Sequence, residues 1–105
     1  MSDPKSSLSR TSLVPDHAAA VAILVQPVLD DLVGPGAAPV SLAFEYGTRI
    51  SPGDSVVVEG RIIRGTRTLI FVQAQVMTNS GQLAADISAV FRRQNLQENP
   101  PDRQT

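Results

Sequence analysis

The spacing of apolar positions changes at Pro39. Upstream, HAAAVAILVQPVLDDLVG (residues 17–34) is apolar on nearly every side as far as Val25, the pattern of a helix buried all round. Asp16 is the expected N-cap, with its carboxylate at the positive end of the helix dipole. Pro27 removes a backbone donor and crowds the carbonyl of Ile23, which predicts a kink there. Gly34-Pro35-Gly36 ends the helix at about Val33.

Downstream the period is two. Val40, Leu42, Phe44 and Tyr46 alternate with Ser41, Ala43 and Glu45, the pattern of a half-buried strand running from Pro39 to Thr48. Ser51-Pro52-Gly53-Asp54 is a turn, with proline setting φ and glycine free to take a positive one. SVVVEGRII (55–63) is a second strand, Arg64-Gly65-Thr66-Arg67 a hairpin connection, and TLIFVQAQVMT (68–78) a third strand. Asn79-Ser80-Gly81 turns into a fourth, QLAADISAVFRR (82–93). Thr68, Ile70, Val72, Ala74 and Val76 share one face of the third strand, and Leu83, Ala85, Ile87, Ala89 and Phe91 one face of the fourth. These are the expected inner faces, with Glu45, Gln73, Gln75, Asp86 and Ser88 pointing outward. Short turns between long strands imply antiparallel pairing. The apolar face of such a sheet needs a cover, and the helix is the one candidate. The expected class is therefore α+β: one buried central helix wrapped by a four- to five-stranded antiparallel sheet. The ends, 1–9 and 94–105, have little apolar matter and read as disordered tails around a single domain at 10–93.

Composition narrows the chemistry. The 105 residues contain no cysteine and one histidine, His17, which excludes disulfides, Cys-ligated zinc and any multi-histidine metal site. A net charge of −1 with no basic stripe argues against nucleic acid. No apolar run approaches the roughly 20 residues of a membrane span, so no membrane association is expected and the default location is the cytoplasm.

The order helix, strand, RISPGD, strand, RGTRTL, strand, NSGQL, strand resembles the hotdog fold. Ser51-Pro52-Gly53-Asp54 is similar to a turn common in that superfamily. GTRTLIFVQAQVMTNSGQLAADISAVF looks like the phenylacetate-degradation and 4-hydroxybenzoyl-CoA thioesterase branch. The resemblance covers 39–93 well and 17–33 loosely, and it implies a first strand before the helix as short as Ser9–Val14. It implies an acyl-CoA thioesterase-like protein that hydrolyses or binds acyl- or aroyl-CoA thioesters, a homodimer joined edge to edge, and ligand sites between subunits. It also points to a dimer of dimers through the outer sheet faces as a further assembly, and to no cofactor and no metal.

The front end departs from that branch. Members carry an Asn-x-x-Gly approach, a His-Gly-Gly turn at the helix start, and an acid about nine residues further on. Here His17 is followed by Ala18-Ala19, the approach is absent, and the ninth residue after His17 is Gln26. Gln26 can bind a thioester carbonyl or orient water, or it is a structural polar contact. It cannot act as base or nucleophile at neutral pH. Asp30, one turn beyond Gln26, and its neighbour Asp31 are the carboxylates left on the helix, as candidate bases or as a solvated helix end. The candidate set is thus Gln26 and Asp30 for catalysis, with His17, Ala18 and Ala19 at the helix start. Arg64 and Arg67, clustered with Arg61 at a hairpin, are either phosphate ligands or solvated turn residues. The alternative function is a non-catalytic hotdog module, binding a ligand or only assembling, that has lost its catalytic acid. A hydratase is disfavoured because Asp16 and His17 are adjacent rather than a few residues apart.

Overall fold

The computed structural model describes residues 6–94; of the expected tails, 1–5 and 95–105 lie outside the described residues. In chain order the elements are β1 (Ser7–Leu13), α1 (Ala20–Val33), β2 (Ala37–Tyr46), β3 (Ser55–Gly65), β4 (Leu69–Thr78) and β5 (Leu83–Arg93). The strands form one sheet in the order β1-β3-β4-β5-β2, with every neighbouring pair antiparallel. The first strand starts two residues earlier than its sequence predicts. Ser7, Leu8 and Ser9 pair with Arg61, Gly60 and Glu59, and backbone pairing of this kind asks little of the side chains.

Period-two burial produces a single inner face. Val56, Val58, Ile70, Val72, Ala74, Val76, Ala85, Ile87, Ala89 and Phe91 are buried on it. They meet Val21, Leu24, Val25, Val28, Leu29 and Leu32 of α1. Gly60 in β3 makes the close seat: a Cβ there would lie 2.9 Å from Leu32 Cδ1 and 3.0 Å from Val28 Cγ1. The helix runs as one element through Pro27, which falls on its exposed side.

Two expected inner positions are not inner. Thr68 lies in the β3–β4 turn rather than in β4 and is exposed. Leu83 is 38% exposed because the β4–β5 register shifts between Val76 and Met77, and Ala84 is buried in its place. A shift of one residue turns a strand position to the other face. A similar irregularity between Pro39 and Ser41 leaves Val40 51% exposed.

The Pro-Gly-Asp turn holds the front of the molecule. Asp54 closes it, its Oδ2 accepting the Ser51 N–H at 2.9 Å while its own N–H donates to the Ser51 carbonyl at 3.0 Å. Gly53 takes the positive φ (89°) that the turn requires. The turn backbone then ties down the chain leaving β1: Gly53 N–H donates to the Val14 carbonyl, and Val14 N–H to the Asp54 carbonyl, both at 2.8 Å. These bonds fix where the approach to α1 begins.

Candidate functional site

The residues between β1 and α1 fold back on themselves instead of continuing the helix. His17 N–H donates to the Pro15 carbonyl at 3.0 Å and Ala20 N–H to the His17 carbonyl at 3.1 Å. Ala19 N–H donates to His17 Nδ1 at 2.9 Å. The expected N-cap, Asp16, makes no such contact, and α1 starts at Ala20. No side chain caps α1: its N-cap is Ala19, and the His17 ring accepts from that residue's own amide, outside the helix. An Nδ1 that accepts a hydrogen bond leaves the ring proton on Nε2, so exposed His17 presents a donor to the solvent side.

Further in, Ile23 N–H reaches the Ala19 carbonyl at 3.0 Å. The N–H groups of Val21 and Ala22 have no acceptor among the described residues. Unpartnered amides are intrinsic to a helix start and sit at its positive pole. The small side chains of Ala18, Ala19, Ala20 and Ala22 leave them approachable.

Opposite this turn runs the segment after β2. Together they form a cleft of about 360 Å³. His17, Ala18, Ala20 and Val21 line one side, Tyr46, Gly47, Thr48, Arg49 and Ile50 the other, with Ala84 between. Gly47 and Thr48 are zipped to β5 by N–H bonds to the carbonyls of Ala84 and Leu83, each 2.9 Å. A Cβ at Gly47 would lie 2.4 Å from the Leu83 oxygen, so this close approach requires glycine. Sequence reading missed the 47–50 wall by extending the strand to Thr48. The usable signal was a glycine immediately after an alternating run.

The predicted site residues divide between two ends of the molecule. His17 and Ala18 line the cleft, and Ala19 is bonded to His17 beside it. Gln26 is half-buried on α1 and is not among the residues lining the cleft. Asp30 is exposed near the C-terminal end of α1, in a hollow with Asp31, Gly34, Pro35 and Ala37. At 1.5 Å per residue, it is about 15 Å along the axis from the helix start, so one protomer does not bring it to His17. Asp31 is ion-paired to Arg10 of β1. Arg64 lies over the Phe71 ring, 5.2 Å from its centroid, on the outer face of the sheet. Arg67 lines a separate cavity at the end of α1, as far from the cleft as the helix is long. Among the described residues, no carboxylate lines the cleft.

A second concavity, about 400 Å³, lies on the outer face of the sheet among Ser7, Ser9, Glu59, Arg61, Gln73 and Gln75. There the side chains satisfy one another. Arg61 donates to Gln73 Oε1 at 3.4 Å, and Gln73 Nε2 donates to Asp86 Oδ1 at 3.1 Å.

A single helix seated on the inner face of a five-stranded antiparallel sheet, in this strand order, defines the class: the chain has the hotdog fold. Among solved structures it is similar to a Streptococcus mutans protein solved bound to acetyl-CoA, with a TM-score of 0.76 and 18% identity over 90% of this chain and 89% of that one. It is similar to a hypothetical thioesterase from Streptococcus pneumoniae solved with coenzyme A, with a TM-score of 0.77 and 11% identity over 87% and 83% of the two chains. Mouse thioesterase superfamily member 2 matches with a TM-score of 0.76 and 19% identity over 88% and 78%. No family model matches the sequence, and no curated protein matches it either.

Proposed function

We propose that this protein binds acyl- or aroyl-CoA thioesters in the cleft at the start of α1 and acts as a thioesterase-like hydrolase. The observation that carries the proposal is the helix start itself. The Val21 and Ala22 amides are unpartnered, His17 Nε2 carries a proton, and small alanines give access to all three. Donors fixed at the positive end of a helix suit an oxygen that gains negative charge, as a thioester carbonyl does when water attacks it. Two of the similar proteins, solved with acetyl-CoA and with coenzyme A, support the choice of ligand class. A cytoplasmic location fits such a ligand.

The working unit in this reading is a homodimer. β2 is an edge strand of ten residues, and α1 packs on β1, β3 and β4 rather than on β2. That leaves Val40 (51% exposed) and Tyr46 (72%) on β2 and Ile23 (44%) on α1 uncovered. A long apolar edge of this kind invites pairing, and two β2 strands joined edge to edge would cover it. A further pairing of dimers through the outer faces remains part of the proposal.

The absence of a carboxylate from the cleft favours a second reading, in which the protein holds the thioester without cleaving it. Thiol release from a panel of acyl- and aroyl-CoAs separates the two. Release well above background, lost when Ala18→Trp fills the cleft, supports hydrolysis. Saturable binding without release assigns the binding module, and neither binding nor release overturns both readings.

A further inference from the structure

We infer, building on the thioester reading above, that Arg49 makes the cleft at the start of α1 selective for thioesters whose acyl chain ends in a carboxylate. This names the substrate class of that same site, and it draws on one copy of the chain alone.

The starting observation is an unspent cation in the wall facing the helix start. Arg49 lines the cleft there, with His17, Tyr46 and Thr48 as the other polar side chains. Among the described residues Arg49 has no ion pair and no hydrogen bond from its side chain. The acids near it are placed elsewhere. Asp16 and Glu45 do not line the cleft, and the Asp54 carboxylate accepts the Ser51 N–H. The backbone holds Arg49 from both sides: Thr48 N–H donates to the Leu83 carbonyl and Ser51 N–H to Asp54 Oδ2, each at 2.9 Å. Ile50, between them, packs against the core. A guanidinium on a fixed wall, with its five N–H donors unused and no carboxylate in the same concavity, is a receptor for an anionic group.

A CoA thioester offers two sources of that anion: a carboxylate at the far end of its acyl chain, or the phosphates of its nucleotide. A guanidinium fork matches either. Size decides between them. The cleft holds about 360 Å³, near the lower end for a small-molecule site. With the thioester carbonyl on the Val21 and Ala22 amides, the phosphates lie a whole pantetheine arm beyond the sulfur and stand outside such a cleft. A short dicarboxylic half-thioester has its two polar ends only a few methylenes apart. Its carbonyl meets the helix start while its carboxylate meets the opposite wall, and Ala18, Ala20, Val21 and Ile50 line the way for the methylenes between. A chain of equal length ending in a methyl group would strip water from the guanidinium and give it no acceptor in return, which is a cost.

The test compares S-glutarylpantetheine with S-pentanoylpantetheine, five-carbon thioesters without the nucleotide that differ only in the terminal carboxylate, and then the two corresponding CoA esters. Dissociation constants, or kcat/KM where thiol is released, should favour the glutaryl ester roughly tenfold in the wild type. Arg49→Gln should erase that preference by weakening the glutaryl ester alone. Pentanoyl binding and Tm should stay unchanged, since Arg49 is exposed, and Arg49→Lys should keep part of the preference. Equal affinity of the wild type for both esters, or a preference that survives in Arg49→Gln, overturns the inference and leaves the thioester reading standing. So does a loss in Arg49→Gln that is equal for both CoA esters and absent for both pantetheine esters, which puts the nucleotide phosphates on Arg49. A wild-type protein that binds none of the four esters overturns both.

Discussion

Gly60→Val is expected to lower stability by about 3 kcal/mol, at the upper end of the usual cost of overpacking a core. The first added carbon would already lie 2.9 Å from Leu32 Cδ1 and 3.0 Å from Val28 Cγ1, and valine brings two more. Both contacts are side-chain ends, but they are buried between the helix and the sheet at 4% and 1% exposure, so making room for valine means repacking that layer. The helix would have to lift from β3, against which its packing is most extensive. For a domain of this size, roughly 4–8 °C in Tm is lost per kcal/mol, so a fall of well over 10 °C should appear in thermal unfolding. The urea midpoint should drop as well, with an unchanged slope. Gly60→Ala is the milder control, with a fall of about one third as much.

The second large effect concerns assembly. The double substitution Ile23→Asp with Val40→Asp is expected to turn the proposed dimer into a folded monomer. Both side chains are substantially exposed in a single copy, 44% and 51%, so the fold itself does not depend on them. Burial of two such side chains at an interface is worth about 1.5–3 kcal/mol each. Their loss alone weakens the dimer by roughly two to four orders of magnitude in dissociation constant, before the cost of desolvating two carboxylates. Sedimentation at micromolar concentration should read one copy rather than two, with an unchanged circular-dichroism spectrum.

The fold was legible because burial here follows two simple periods. Leu42, Phe44, Ile70, Val72, Ala74, Ile87 and Ala89 could be assigned to one face from alternation alone. An apolar helix with no other cover had to lie against them. Alternation fails wherever a strand carries an extra residue, so Val40 and Leu83 could not be placed without the register of their neighbours. The start of α1 was misjudged for a local reason. Asp16 is a good N-cap by residue type, but the backbone turns at Pro15–His17 and the helix starts only after Ala19 with no side-chain cap, a path that residue preferences do not contain.

The candidate site was half legible. His17 and Ala18 could be singled out because they precede a buried helix. Gly47 to Ile50 could not, since their role comes from the zipping of 47–48 to β5. Arg67, singled out by charge clustering, lines a cavity at the far end of α1 rather than the cleft. Asp30 and Gln26 were selected by spacing along the helix, and spacing could not reveal that Asp30 stands near the far end of α1.

The central claim is that a CoA ester sits at the start of α1 and not in the polar concavity on the outer face of the sheet. Amide chemical-shift mapping by NMR during titration with acetyl-CoA measures this directly. The predicted result is saturable shifts concentrated at His17, Ala18, Val21, Ala22, Gly47 and Thr48. Shifts confined to Ser7, Ser9, Glu59, Arg61 and Gln73, or no shifts at millimolar ligand, would contradict it.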